Sequence, residues 1–543
     1  MSMIHRARSG QPSFSTHHSI PGKSMPPGEN PLLRSPLSRR RFLALGGGLA
    51  ATATLGAACS SQPQAAPPPR VGPQSPAVTA AARARQVPGA PTVNVALEAA
   101  PAEIDLGAGT RVSTWAFGGQ LPGKEIRAKK GDVLRVDLSN KLPQDTTIHW
   151  HGLAIRNDMD GVPALTQDPI KAGANFRYEF TLPESGTFWF HPHVGMQLDR
   201  GLYAPLIIED PAEPGKYDTE VVVVLDDWID GTGTNPDAVL ANLNQQGMTM
   251  GGGMGMGGGG GMSGMGMSGK GPLGGDAGDV TYPYYLANGK IAAAPQVVDA
   301  KAGQRIRLRL INAGADTAFR VGMPTSAMTI THTDGFPVTP QQAQAVIMGM
   351  GERVDAIIDV PDTTTPLLVI PEGKKGIAQL VIRVNQGVAP DPRILVPAFL
   401  QRPVLDTAAT RATEQVFLPT KKPDVTHDLV LKGPGPGAAG KYTWTINGTT
   451  YNPAEGLPVR QGQRARLRFI NQSMMYHPMH LHGHTFQVRG PGGTGPRKDT
   501  VLVLPMQTVE VDFDADNPGQ WLTHCHNLYH GESGMMTVTS YVE

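Results

Sequence analysis

Ten histidines and one cysteine fall in four short motifs whose spacing suits metal ligation. They are His149-Trp-His151-Gly, His191-Pro-His193, His477-Pro-Met-His480-Leu-His482 and His524-Cys525-His526-Asn-Leu-Tyr-His530. Side chains at i and i+2 of a strand face the same side, so each His-x-His presents two imidazoles together. Four such pairs supply eight nitrogens, too many for one ion and suited to a cluster of three. In His524-Cys525-His526 the thiolate points the opposite way from its neighbours and can hold a separate copper. That ion is completed by His477, His530 and, five residues further on, Met535. Two His, one Cys and a weak axial Met describe a blue electron-transfer copper site. Cys525 is joined through peptide bonds to both flanking histidines, a short covalent path from a single-electron acceptor to a centre able to reduce dioxygen.

A lone histidine is usually a satisfied core residue, but ten at matched offsets around one cysteine are not a coincidence. His332, His427 and His484 fall outside the pattern and are expected to be structural or at the surface. The chain has two cysteines, Cys59 and Cys525. The first lies in a targeting segment, which leaves the mature body one unpaired thiol, and metal ligation explains it.

The elements that position these motifs are betrayed by an internal repeat. Gly131-Asp-Val-Leu-Arg-Val-Asp-Leu-Ser-Asn140, Gly303-Gln-Arg-Ile-Arg-Leu-Arg-Leu-Ile-Asn312 and Gly462-Gln-Arg-Ala-Arg-Leu-Arg-Phe-Ile-Asn471 match one another. Each is a turn glycine followed by an alternating strand that ends at Asn. Nine and eleven residues past that Asn stand His149 and His151 in the first copy and His480 and His482 in the third, but Val321 and Met323 in the second. The metal is therefore expected between the outer two domains, with the middle one as spacer.

The 66 Gly, 49 Pro and only 17% charged residues favour an all-β chain. Basic and acidic residues, 47 against 46, give a net charge of +1 and no electrostatic case for nucleic acid. The expected domains are β-sandwiches at 92–212, 213–390 and 420–543, with a Pro-rich linker at 391–419. Residues 1–59 read as an export signal: Arg39 and Arg40 resemble the pair of a twin-arginine (Tat) signal, and an apolar stretch runs up to Cys59. Leu-Gly-Ala-Ala-Cys59 resembles a lipoprotein cleavage box, so membrane attachment is expected only through a lipid on Cys59, with 60–91 as a flexible tether. No other apolar run is long enough to span a bilayer. Gly435-Pro-Gly437-Ala-Ala-Gly440 has GxGxxG spacing but leads into the strand YTWTI, so it reads as a loop.

Taken in this order, the motifs resemble those of the multicopper oxidases, laccase-like enzymes of three cupredoxin-like Greek-key sandwich domains. The resemblance covers roughly 92–543 and extends to exported actinobacterial lipoprotein copper-resistance oxidases through the MDGVP, DDW, NGxxY and MMYHP segments. It implies four copper ions. His477, Cys525, His530 and Met535 are then similar to the type 1 ligands, and His149 and His480 to the type 2 ligands. His151, His191, His193, His482, His524 and His526 resemble the ligands of the type 3 pair. Dioxygen reduction consumes protons, and Asp160 sits where the family places a proton-handling acid. A second such acid usually follows the last type 1 histidine directly; here that position is Gly531, and Glu532, one later, is the candidate.

Met248, Met250, Met254, Met256, Met262, Met265 and Met267 lie among glycines and serines, and thioethers suit Cu(I). Met474 and Met475 flank His477 and form a second candidate docking point for that ion. Ser473 stands where the copper-efflux relatives carry Asp, so their pocket is not fully reproduced. The expected partners are dioxygen and either Cu(I) or small phenolic or aromatic amine reductants, with the chain acting as a monomer. The rival readings are a copper-binding envelope protein without catalysis, which the full ligand set opposes, and a copper nitrite reductase, which lacks so complete a histidine set.

Overall fold

The computed structural model describes residues 68–213, 215–247, 271–434, 442–490 and 493–543. The export signal, Cys59, the methionines at 248–267 and the loop at 435–440 lie outside the described residues. From Thr92 onward the described chain is mostly strands, arranged as six sheets in three pairs. The first domain pairs two four-stranded sheets, the second two six-stranded sheets, and the third one of six with one of five. Among the described residues no helix is long and apolar enough to cross a membrane.

The repeat seen in the sequence occupies the same slot in all three domains. Val133–Asn140, Arg305–Asn312 and Arg464–Asn471 each pair in parallel with the strand that opens their domain and antiparallel with a later one. The closing Asn explains itself physically. In each copy its Oδ1 accepts the backbone N–H two residues on, from Leu142, Gly314 or Ser473. Its Nδ2 donates to a carbonyl four or five residues on and to another across the domain: Gln144 and Ile170, Thr317 and Met348, Met475 and Val503. This buried Asx turn fixes the chain's exit from the strand, which is why histidines follow at constant offsets in the outer domains.

Two boundaries differ from the sequence reading. Residues 68–91, expected as part of a free tether, are bonded into the fold, mainly onto the third domain and also onto the first through Gln74 and Pro91. Arg70 donates to Gln520 and Ser540 side chains at 2.7 and 2.9 Å and to the Pro453 carbonyl, and Val71 N–H bonds to the Tyr541 carbonyl. The helix Pro76–Ala84 follows, capped by Ser75, and Arg85 then reaches Asn517. The Pro/Ala-rich composition hid these long-range partners. The linker at 391–419 is also partly structured: Pro392–Phe399 is a helix, and Val404–Asp406 adds a strand beside Ala345–Met348 of the second domain.

Candidate metal centre

Strand register delivers the ligands. His149–His151 pairs antiparallel with Gly186–His191, placing His149 opposite His191. Between the two histidines, Trp150 turns to the other face and packs on Phe180 and Phe190, with ring centroids 5.1 Å away in each case. The third domain repeats the device: His477–Leu481 pairs with Gln520–Cys525, so His480 faces His524 and Met479 faces Cys525. A period of two thus sends alternate residues to the metal side and to the core.

Eight imidazoles from the first and third domains meet in one buried cluster. His149 and His480 have their Nε2 atoms 3.4 Å apart, and those of His482 and His524 are 3.1 Å apart. His193 completes the second set, its ring centroid 4.9 Å from His482 and 5.0 Å from His524. His526 stands 5.0 Å from His151 and 5.3 Å from His191. Burial, reinforced by neighbouring imidazoles, holds His151, His191, His193, His482, His524 and His526 well below the usual histidine range, which favours their neutral, ligating form.

The outward nitrogens are anchored. Asp160 accepts from Nδ1 of His149 through Oδ1 at 3.1 Å and from Nδ1 of His482 through Oδ2 at 2.9 Å. His480 Nδ1 bonds to the Asp499 carbonyl, His191 Nδ1 to that of Pro192 and His524 Nδ1 to that of Cys525. His151 is reversed, with Nε2 directed to Asp499 and Thr500. The nitrogens left over include buried atoms with no partner among the described residues: Nδ1 of His151, Nε2 of His191 and His193, and both of His526. An unpartnered buried polar atom costs about 1–3 kcal/mol, and several at one point fit metal ions as the missing partners.

A second group lies on the far side of the same strand. Cys525 Sγ is 3.5 Å from His477 Nδ1 and 3.7 Å from His530 Nδ1, and those two nitrogens are 3.2 Å apart. Met535 is fully buried, its N–H bonded to the His530 carbonyl and its carbonyl to the Cys525 N–H. Ser473 Oγ meets His477 Nε2 at 2.8 Å, and Asp279 meets His530 Nε2 at 2.8 Å. Burial lowers the His530 imidazole, but Asp279 and the Cys525 sulfur outweigh it and hold the pKa up at about 10. Trp444 stacks on the His530 ring at 3.8 Å. Met475 is buried beside this group, whereas Met474 is 74% exposed.

Multicopper oxidase family models match residues 98–213, 219–368 and 430–542. The chain is 45% identical over 520 residues to multicopper oxidase MmcO of Mycobacterium tuberculosis, covering 93% of this chain and 97% of that one. The chain belongs to the multicopper oxidase family. It is thus a copper-dependent oxidoreductase of three cupredoxin-like domains, and the orphaned imidazole nitrogens suit copper. Copper resistance protein A of Pseudomonas syringae pv. tomato is 26% identical, covering 79% of this chain and 89% of that one. Among solved structures, a multi-copper oxidase from Pseudomonas Thermotolerans superposes with a TM-score of 0.63 at 27% identity, covering 84% of this chain and all of that one. Fet3p, at 20% identity, a TM-score of 0.68 and coverage of 83% and 90%, shows the shared fold alone.

In this multicopper oxidase Glu532 lies in the wall between two cavities. A small one of about 20 Å³ is bordered by His191, His193, His524 and His526. An open one of about 610 Å³ reaches His193 and Tyr442. Burial, then Asp237, pushes the Glu532 carboxyl up to about 7. The histidines left out of the motifs have protein partners: His484 with the Tyr541 hydroxyl, His332 with Glu213 and His427 with the Pro458 carbonyl. Sequence reasoning missed Asp279, Trp444, Asp499 and Thr500. None belongs to a ligand motif, and only the fold brings them to one. The middle domain is also more than a spacer, because its Gly351 backbone lies against the His526 and His151 rings.

Proposed function

We propose that this oxidase withdraws electrons one at a time from Cu(I) and delivers them to dioxygen, which is reduced to water. His477, Cys525, His530 and Met535 would hold one copper, His149 and His480 a second, and His151, His191, His193, His482, His524 and His526 a pair. Copper, when bound, supplies reversible one-electron chemistry. Cys525 carries the reading: its sulfur faces His477 and His530, while the His524 ring beside it in the chain stands with His482. Asp160 keeps protons on Nδ1 of His149 and His482, leaving both Nε2 lone pairs for metal. Glu532 holds a proton where the open cavity meets the histidine cluster and can pass it inward as oxygen is reduced.

Cu(I) as reductant is supported by the methionine-rich insertion, by the exposed Met474 near His477, and by the copper-resistance names of relatives. Oxygen uptake by copper-loaded protein, with Cu(I) against a phenolic dye, tests it. Uptake with neither overturns the enzyme reading, and uptake with the dye alone overturns the Cu(I) role. Deleting 248–267 should lower Cu(I) oxidation and leave dye oxidation unchanged. Small phenols and aromatic amines are the second reading, favoured by the open cavity that Tyr442 lines near Trp444 and His530. We place the enzyme outside the cytoplasm on the strength of Arg39 and Arg40. Replacing both with Lys should leave it in the cytoplasm, and unchanged export would refute that placement.

A further inference from the structure

A buried ion network from the middle domain reaches the histidine cluster. Arg353 is fully buried, and its guanidinium grips both oxygens of Asp499, at 2.8 and 2.5 Å. The same side chain donates to the carbonyls of Thr187, Gly351 and Asp334, so its fork is locked. Asp499 Oδ1 in turn lies 3.1 Å from His151 Nε2 and 3.4 Å from His480 Nδ1, and Thr500 Oγ1 bridges the same two rings at 3.2 and 3.1 Å. From the second domain Asp334 Oδ2 accepts the N–H groups of Asp499 and Thr500, and Lys498 lies 3.1 Å from Asp334 and 3.0 Å from Glu352. None of these five charged side chains is exposed to solvent.

Two glycines show how closely the three domains meet. A methyl at Gly152, the glycine of the first histidine motif, would collide with both Arg353 and Asp499. A methyl at Gly351 would stand 2.9 Å from His526 Cδ2 and 3.0 Å from His151 Cε1. Both residues have positive φ, so glycine is demanded on two counts. Stability alone does not account for such a network, since well-packed apolar side chains often replace buried ions without loss.

We propose that the middle domain is a working part of the metal centre: through Arg353 and Asp499 it positions His151 and His480 and thereby sets how tightly the type 2 copper is held. This rests on the assignment of His149 and His480 to one ion. His480 and His151 stack at 3.9 Å with planes only 10° apart, so one carboxylate and one hydroxyl orient both rings as a unit. Arg353, Asp499 and Thr500 act as positioning residues.

The test compares copper-loaded wild type with Asp499→Asn, which keeps the shape and removes the charge, and with Thr500→Val, which keeps the ion pair and removes the hydroxyl. Type 1 copper is read from the blue absorption band, type 2 copper from its electron paramagnetic resonance signal, and total metal by elemental analysis under graded chelation. Asp499→Asn should weaken type 2 retention by about 10–100-fold with the blue band intact, and Thr500→Val should do so to a smaller degree. Should Asp499→Asn not fold, Thr500→Val decides alone. Type 2 retention equal to wild type, or type 1 and type 2 signals falling together, overturns the proposal. A wild-type protein that shows no type 2 signal overturns the underlying assignment instead.

Discussion

Nε2 of His149 and Nε2 of His480 face each other at 3.4 Å although 331 positions separate the two residues. Both rings already direct Nδ1 to oxygen acceptors, Asp160 for His149 and the Asp499 carbonyl for His480. With each Nδ1–H donating to its oxygen, both Nε2 atoms are left as lone pairs. Two lone pairs aimed at each other repel unless a cation lies between them. His482 and His524 show the same relation at 3.1 Å, with their Nδ1 atoms on Asp160 and the Cys525 carbonyl. Both pairs have the arrangement that a cation would stabilise.

Removing the thiolate should separate the two kinds of copper. Cys525→Ser keeps the buried shape but deletes the soft ligand. The blue band should vanish and oxygen uptake fall to background, while the type 2 resonance persists. Visible and resonance spectra on one sample check this.

Asp160 anchors two rings at once, so its loss should be felt at the whole cluster. Asp160→Ala leaves the buried Nδ1–H of His482 without its acceptor and that of His149 with the backbone carbonyl of residue 160 alone, and copper retention or turnover should fall about 10–100-fold. Asp160→Asn retains an acceptor oxygen and should lose less. Copper per chain and oxygen uptake distinguish the two.

Glu532 gives turnover a pH signature. Its carboxyl is raised to about 7, so it is protonated below that pH and can donate. Turnover should decline as pH rises through about 7. Glu532→Gln should flatten that limb and lower the rate by about 10²- to 10⁴-fold. An unchanged profile would assign the proton supply elsewhere.

Acid stability should depend on Glu213. Burial raises its carboxyl, but His332 and Arg307 outweigh that and hold it at about 2, against an ordinary value of 4.5. A depressed acid binds its proton less readily folded than unfolded, so its contribution is complete above about pH 4.5 and fades as pH falls towards about 2. Glu213→Gln should be less stable than wild type at neutral pH, with the difference shrinking across that window. Denaturant melts at several pH values measure it.

Within His524-Cys525-His526 the opposite directions of His524 and Cys525 follow from strand alternation, a local geometric rule that needs no tertiary knowledge, and His526 follows one residue past the strand's end. The repeats ending at Asn140, Asn312 and Asn471 were equally plain, because each encodes one Asx turn within a few residues of itself. Asp499, Arg353 and Asp279 were not legible. Their partners His151, Asp499 and His530 lie 348, 146 and 251 positions away, and an isolated Asp or Arg carries no periodicity. The stretch at 68–91 misled for the same reason: its composition is that of a tether, yet Arg70 finds its acceptors 450 and 470 residues on.

The sequence by itself determined which histidines and which cysteine are gathered in short motifs, how they divide between two faces of a strand, and that a sandwich unit occurs three times. Those features reside in spacings of a few residues, where backbone geometry alone dictates direction. Only the tertiary structure decided which imidazoles stand face to face, which nitrogen of each ring is taken up by an oxygen acceptor, and that the middle domain braces the cluster. Those outcomes depend on hydrogen bonds between chain segments hundreds of residues apart, whose meeting is set by how three hydrophobic cores pack together.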